Sequence, residues 1–269
     1  MVTRTELRRT IRSPRTLVLL ILFAVFTAVT GLLGGAITRG VESQGPEAAA
    51  AAGASLIALF FGGDPSLLAQ LSDLPLLLPL VFGACLFFLP LYVVLLGYDQ
   101  LSAEVASGSV RHLAVRARRG SILGGKFLAQ AVVTLTVLAL VVLALFAAGA
   151  RLRPVVEPVG YLTFGLRFWI GGALLACAYV ALTSLSSAVT ASPAASLLLN
   201  LSLLFAFWLL KVMAGASSTT EVLRWLSPLT YLGGVFVSGP PYATSLTAYV
   251  CFAALFLAGA WAAFRIRDI

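Results

Sequence analysis

Residues capable of covalent or metal chemistry are few and scattered in this sequence of 269 residues. A nucleophilic serine needs an adjacent base, but the one histidine, His112, lies in a polar segment, far from Ser55, Ser196 and Ser202. Hydrolysis within a membrane is therefore disfavoured. The cysteines are isolated in apolar stretches, which predicts neither a disulfide framework nor a metal site. They are Cys85, Cys177 and Cys251.

A partial phosphate-binding pattern runs from Gly120 to Lys126. It fits GxxxxGK, but Phe127 stands where a serine or threonine would hold Mg²⁺. No strand is predicted before it, and an apolar run follows directly. We therefore interpret Lys126 as an anchor at the membrane interface, and we expect no nucleotide, metal or cofactor to bind to this chain.

The composition indicates an integral membrane protein. Hydrophobic residues make up 60% of the chain and charged residues only 10%, whereas a soluble domain carries about 25% charged residues. Uncharged apolar runs of about 20 residues can cross a bilayer as helices. Six runs qualify: Thr16–Ile37, Leu74–Tyr98, Phe127–Ala150, Phe168–Ala188, Pro193–Leu210 and Thr244–Phe264.

The distribution of basic residues predicts the orientation. Twelve of the 18 Lys and Arg residues fall on the side that carries both termini, and six fall on the other side. Because Lys and Arg stay on the cytoplasmic side, both termini are predicted to be cytoplasmic. The chain is thus predicted to be a single all-α, six-span transmembrane domain covering residues 1–269.

The spans contain no acidic residue, since all ten acids fall outside the six runs. Ion-driven pumps usually carry ionisable groups inside their spans, so an ion-coupled carrier is disfavoured. Arg167, at the mouth of the fourth span, is interpreted as a side chain that snorkels to the outer interface.

Two external connections have distinctive patterns. Thr38–Asp73 contains an Ala-rich stretch, Glu47–Phe61, which could form an interfacial helix. Lys211–Ala243 is fairly apolar yet interrupted by proline and glycine, and it predicts re-entrant half-helices before the last span.

The head of the chain, Met1–Arg15, predicts an amphipathic helix on the cytoplasmic surface of the membrane. Apolar and basic residues each recur every four positions, which is the spacing of one helix face, and basic residues attract anionic lipids. The alternative is a simple positive flank to the first span. The residues concerned are Arg4, Leu7, Arg8, Ile11 and Arg12.

The cytoplasmic segment Asp99–Lys126 is predicted to dock a soluble partner. We expect a helical stretch, a joint at Gly108 and a second short helix, which together present Glu104 and an apolar ridge that includes Leu101 to the cytoplasm. The alternative is a solvated basic loop. The other candidate contact residues are Val105, Val110, Arg111, Leu113 and Arg118.

Four sequence pieces resemble the membrane subunits of type-2 ABC exporters, and most closely the small six-span NosY-like permeases. They lie in the family's order along the whole chain. They are Glu6–Arg15, Glu104–Gly108 with Gly125-Lys126, Thr183–Pro193 and Leu226–Tyr231.

The resemblance implies a permease of the bacterial cytoplasmic membrane that acts as a homodimer or a related heterodimer. Two copies of a separate cytoplasmic ATPase would bind ATP and Mg²⁺, and we expect no nucleic-acid partner. Arg4–Arg12 would form the elbow helix, Glu104–Arg119 the coupling helix, and Ser186–Ser192 a lesser contact. The path would lie between the copies, lined chiefly by the second and fifth spans. Asn200, in the fifth span, could line it or hydrogen-bond a neighbouring helix.

Two functions therefore remain open from the sequence. The first is the permease subunit of an ATP-driven exporter, and the second is a membrane anchor or regulatory subunit that transports nothing. The apolar spans would suit many substrates, and they identify none.

Overall fold

The computed structural model describes residues 13–43, 45, 51, 55, 77–109, 117–152, 158–216 and 218–267. This part of the chain is helical and contains no strand. Two 3₁₀ helices, Ser218–Leu226 and Pro228–Val235, lie between the last two α-helices. The α-helices are α1 (Pro14–Glu42), α2 (Leu77–Gly97), α3 (Ser102–Ala106), α4 (Arg119–Leu152), α5 (Pro158–Val189), α6 (Pro193–Ala216) and α7 (Pro240–Ile266).

Six of these helices are long and apolar enough to span a membrane, which confirms the predicted all-α architecture. They are α1, α2, α4, α5, α6 and α7. The ends of these helices differ from the ends of the predicted apolar runs, because a helix can begin before the first apolar residue of its run or continue past the last one. α4, for example, begins at Arg119 rather than Phe127, and α5 begins at Pro158 rather than Phe168.

α2 and α5 form the centre of the bundle. They are the most enclosed spans, and α5 packs along α7 more extensively than any other pair of elements. An aromatic cluster joins α2 and α5, with the ring centroids of Phe82 and Phe168 4.0 Å apart. Such ring pairs add about 0.5–1.5 kcal/mol beyond area burial. This centre holds the other spans in place.

α1, α6 and α7 turn broad apolar faces outward, and little of each is enclosed by the chain. Leu32, Leu198 and Leu255 are examples, each about two-thirds exposed or more. In a membrane protein such faces meet lipid or another subunit. The predicted path lined by the second and fifth spans stays a prediction, and α2 contributes little outward-facing surface to it.

The segment Lys211–Ala243 does not form two α-helical half-helices among the described residues. Instead α6 continues to Ala216 and the two 3₁₀ helices follow. The second is anchored in the core, where Leu232 and Val235 are each only 1% exposed. How deeply the segment enters the membrane remains a prediction.

Two predicted elements lie outside the described residues. They are the amphipathic helix of the head, which covers Arg4 to Arg12, and most of the Ala-rich stretch Glu47–Phe61.

Candidate functional site

The predicted docking segment begins with a short, well-defined helix. The amides of Ala103 and Val105 donate to the carbonyls of Asp99 and Leu101, at 3.1 and 2.9 Å, and so form the turns of α3. Gly108 ends it with a φ of +71°, a left-handed conformation that glycine adopts without strain. This turn is compatible with the predicted joint, whose second helix lies outside the described residues.

Glu104 does not face the cytoplasm as predicted, because its side chain points into the bundle. It is only 4% exposed, and its Oε1 lies 2.7 Å from Nζ of Lys126 on α4. Lys126 is equally buried, so its interpretation as an interfacial anchor is wrong. Buried charges are tolerated when paired and hydrogen-bonded. The pair therefore fixes α3 to α4.

Ser187 on α5 caps the amino end of α3. The backbone amides of Leu101 and Ser102 both donate to Ser187 Oγ, at 2.8 Å each. No side chain of the α3 segment itself provides this cap. The first amides of a helix lack partners within the helix, so a hydroxyl from another span supplies what α3 lacks. This contact fixes α3 to α5.

Arg119, the first residue of α4, caps the carboxyl end of α7. Its Nη1 lies 2.6 Å from the carbonyl oxygen of Arg265 and 3.0 Å from that of Arg267. A third carbonyl, that of Phe264, lies at 3.3 Å. A cation there satisfies free carbonyls and complements the helix dipole.

Arg267 repeats this arrangement between α7 and α5. Its Nη1 donates to the carbonyls of Ala188 and Thr190, at 2.7 and 2.9 Å, where α5 ends.

The contacts of α3 with α4, α4 with α7, α7 with α5 and α5 with α3 thus close into a circuit. We call these four contacts the polar circuit, and the end of the bundle that carries them the α3 end.

An apolar cluster fills the inside of the polar circuit. Its buried members come from α3, α4, α5 and α7, and Val105 packs against them. Leu101 is fully buried, so it does not belong to a ridge presented to the cytoplasm, contrary to the prediction. The buried members are Leu101, Ile122, Leu123, Ala188, Ala260 and Phe264.

Only part of the predicted docking surface lies among the described residues. Among the candidate contacts, Gly108 and Arg118 are exposed, and Ala106 and Ser107 add to them. Val110, Arg111 and Leu113 lie outside the described residues.

The predicted lesser contact, Ser186–Ser192, is mostly helix. α5 continues to Val189 and α6 begins at Pro193. Ser186 and Ser187 are fully buried, whereas Val189 is 58% exposed and the turn of residues 190–192 is exposed or half-buried.

Asn200 is enclosed by its own chain. Its side chain is fully buried, and Nδ2 donates to the carbonyl of Ser196 in the same helix at 2.8 Å. Oδ1 accepts no hydrogen bond from the described residues. Among the described residues Asn200 thus makes no hydrogen bond to a neighbouring helix, and a role in the path stays a prediction.

The sequence-based prediction identifies none of the contacts that Arg119, Lys126, Ser187 and Arg267 make in the polar circuit, although Arg119 and Ser187 fall within predicted contact segments. Their signals are present but indirect. Lys126 opens an apolar run, Ser187 ends a polar cluster in the fourth span, and each arginine flanks a span. None of these signals identifies its partner on another span. Among the described residues no three His, Cys, Asp or Glu side chains group as metal ligands.

The family model described as "ABC-2 family transporter protein" matches residues 1–263. No curated protein is matched by this chain.

Proposed function

The chain belongs to the ABC-2 transporter family, and from this premise we propose that it is the permease subunit of an ATP-driven exporter. Its ATPase would be a separate cytoplasmic chain that binds ATP and Mg²⁺. The observation that carries the proposal is the polar circuit, because it fixes a short helix at one end of the bundle directly to α4 and α5, and these two spans are in turn tied to α7.

Force applied to α3 would be transmitted rather than absorbed. The helix has only five residues, so it would fray without outside partners. Its buried pair to α4 and its cap from α5 remove that freedom. A displacement of α3 by a docked ATPase would therefore move α4, α5 and α7 together, which is what a coupling helix must do.

The docking surface follows from what remains exposed. Glu104 and Leu101 face inward, so they hold α3 in place rather than contact the partner. The ATPase would contact Ala106, Ser107, Gly108 and Arg118, together with the neighbouring turn of residues 190–192, which are exposed or half-buried at the same end.

Two permease copies would form the complete transporter. The outward apolar faces of α1 and α6 provide surface for a second copy as well as for lipid. We propose a pair of identical or closely related chains, each docked on one ATPase, in the bacterial cytoplasmic membrane with the α3 end inside.

The test is assembly and activity with an ATPase encoded beside this chain. The pair is co-expressed, purified by a tag on the permease and assayed for ATP hydrolysis in proteoliposomes. Ser107→Arg should remove the ATPase from the complex, because it places a bulky charge on the docking surface. Ser238→Arg, an exposed serine after the second 3₁₀ helix, is the matched control and should leave assembly intact.

Two results would overturn the proposal. One is transport by the permease alone in liposomes without any ATPase. The other is an ATPase complex that is unaffected by Ser107→Arg. Assembly without substrate-stimulated hydrolysis would instead support the alternative of a membrane anchor.

A further inference from the structure

The opposite end of the bundle contains a cavity that the proposed function does not use. α7 has 27 residues and so spans about 40 Å, which puts its first turns far from the polar circuit. A cavity of about 460 Å³ lies there, between the 3₁₀ helices and α7. Its lining combines a cation, two aromatic rings, hydroxyl groups and the backbone of two glycines.

The walls of this cavity are pinned by specific contacts. Ser245 Oγ lies 2.9 Å from the carbonyl oxygen of Tyr231 and 3.0 Å from that of Pro241. Gly234 packs so closely on Ser245 that a Cβ there would clash. Ser227 Oγ donates to the carbonyl of Phe207 at 2.7 Å and ties the 3₁₀ helices to α6. The walls of the cavity are therefore held in place by specific contacts at this end of the bundle.

One side of the cavity is cationic and polar. The guanidinium of Arg224 lies 5.9 Å from the ring centroid of Trp225, and the rings of Trp225 and Tyr231 are 6.4 Å apart. Burial raises the pKa of Tyr231, and the charge of Arg224 opposes that shift. Thr230 Oγ1 is buried and has no hydrogen-bond partner among the described residues.

The first 3₁₀ helix, which contributes Arg224 and Trp225 to the lining, also exposes apolar side chains. Val222, Trp225 and Leu226, all in the first 3₁₀ helix, are 72%, 59% and 56% exposed. Exposed apolar groups beside a cation are typical of segments at a membrane interface. α7 also exposes apolar side chains, and Val250 is about half exposed.

We propose that this cavity binds an anionic amphiphile, a molecule with a phosphate or carboxylate head on an apolar chain. Arg224 pairs with the head, since a guanidinium forms charge-assisted hydrogen bonds to such oxygens. The apolar chain lies against the exposed ring of Trp225. This inference does not depend on the ATPase.

Binding of radiolabelled dodecyl phosphate to the purified full-length chain tests the proposal. The chain is immobilised in a neutral glycoside detergent, and bound label is measured by scintillation proximity. Unlabelled dodecyl phosphate should displace the label saturably. Inorganic phosphate, which lacks the chain, and dodecylphosphocholine, whose head has no net charge, should each compete at least roughly tenfold more weakly.

Two variants and one control locate the site. Arg224→Gln should weaken binding by roughly tenfold, because the head loses a charge-assisted partner. Thr244→Phe keeps the charge of Arg224 but fills the cavity with an aromatic ring, and it should abolish saturable binding. Arg265→Gln is the matched control, since Arg265 likewise stacks on a tryptophan, Trp261, at 5.2 Å but lines no part of this cavity. It should bind as the parent does.

The opposite results would overturn the proposal. Unchanged binding in Arg224→Gln would show that the charge of Arg224 does not contribute to binding. Unchanged binding in Thr244→Phe would show that the ligand does not occupy the cavity. Equal competition by inorganic phosphate would exclude an amphiphile, and equal competition by dodecylphosphocholine would exclude selection for an anion.

Discussion

Glu104 Oε1 and Lys126 Nζ form a buried ion pair, 2.7 Å apart, between the short helix α3 and the long helix α4. Each side chain is 6% exposed, so bulk water does not screen the pair as it does a surface salt bridge. The pair therefore gives α3 one position relative to α4, and a partner that displaces α3 must displace α4 with it.

Removing one member of this pair should destabilise the protein strongly. Glu104→Gln leaves the Lys126 charge buried and uncompensated, which costs roughly 3–5 kcal/mol. Lys126→Met should cost a similar amount. The double variant Glu104→Met/Lys126→Met should recover most of the loss, because apolar side chains of similar volume need no partner. Thermal unfolding of the purified protein in detergent measures this, and additive losses in the double variant would contradict it.

Loss of the Ser187 hydroxyl should loosen α3 specifically. Ser187→Ala removes the shared acceptor of the Leu101 and Ser102 amides, and such a cap contributes about 0.5–2 kcal/mol. Hydrogen exchange of the peptide that covers residues 101–107 should become faster. Ser186→Ala is the matched control, because Ser186 Oγ donates only to Leu182 within its own helix at 3.1 Å. Equal exchange in the two variants would contradict the cap.

The six spans could be predicted from the sequence because a membrane-spanning helix is specified by a single continuous run of apolar residues. An uncharged run such as Pro193–Leu210 has no alternative in lipid, since its backbone groups must pair with one another. The turn at Gly108 is likewise specified by local sequence. The ends of helices were less predictable, because α4 continues through Gly120 and Lys126, which composition alone assigns to a loop.

The orientation of Glu104 could not be predicted, because it depends on contacts between distant parts of the chain. Its partner Lys126 lies on another helix, and the sequence around either residue does not indicate that the two form a pair. The same holds for Ser187, whose Oγ caps a helix that precedes it by 85 positions in the chain. A charged residue in a polar segment is ordinarily exposed, so the sequence favours a cytoplasmic face for Glu104 until the packing of α4 and α5 is known.

The cap of Arg119 on α7 should hold the last turn of that helix. Arg119→Gln removes the cation from the carbonyls of Arg265 and Arg267. A cation at a helix carboxyl end contributes about 0.3–1 kcal/mol, and up to about 2 kcal/mol when partly buried. Hydrogen exchange should therefore increase over residues 262–267. Arg265→Gln should change it less, since that guanidinium lies over the ring of Trp261, although Arg265 also belongs to the last turn of α7.

Two glycines of the spans should respond oppositely to the same substitution. A Cβ at Gly171 would clash with the side chain of Val235, so Gly171→Ala overpacks the contact between α5 and the second 3₁₀ helix. Such overpacking costs about 1–3 kcal/mol. Gly124 in α4 has open space around it, so Gly124→Ala should stabilise the helix by roughly 0.5–1 kcal/mol. Melting temperatures should move in opposite directions, and a loss in both would contradict this.

The membrane orientation can be measured with two exposed serines at opposite ends of the bundle. Ser192 lies in the turn between α5 and α6 at the α3 end, and Ser238 follows the second 3₁₀ helix. Each is replaced by cysteine in a background that lacks Cys85, Cys177 and Cys251. Because the α3 end carries most of the basic residues, it should be cytoplasmic. A membrane-impermeant maleimide should then label Ser238→Cys in intact cells and label Ser192→Cys only after the membrane is permeabilised. The reverse pattern would place the polar circuit outside the cell, where no cytoplasmic ATPase could reach α3.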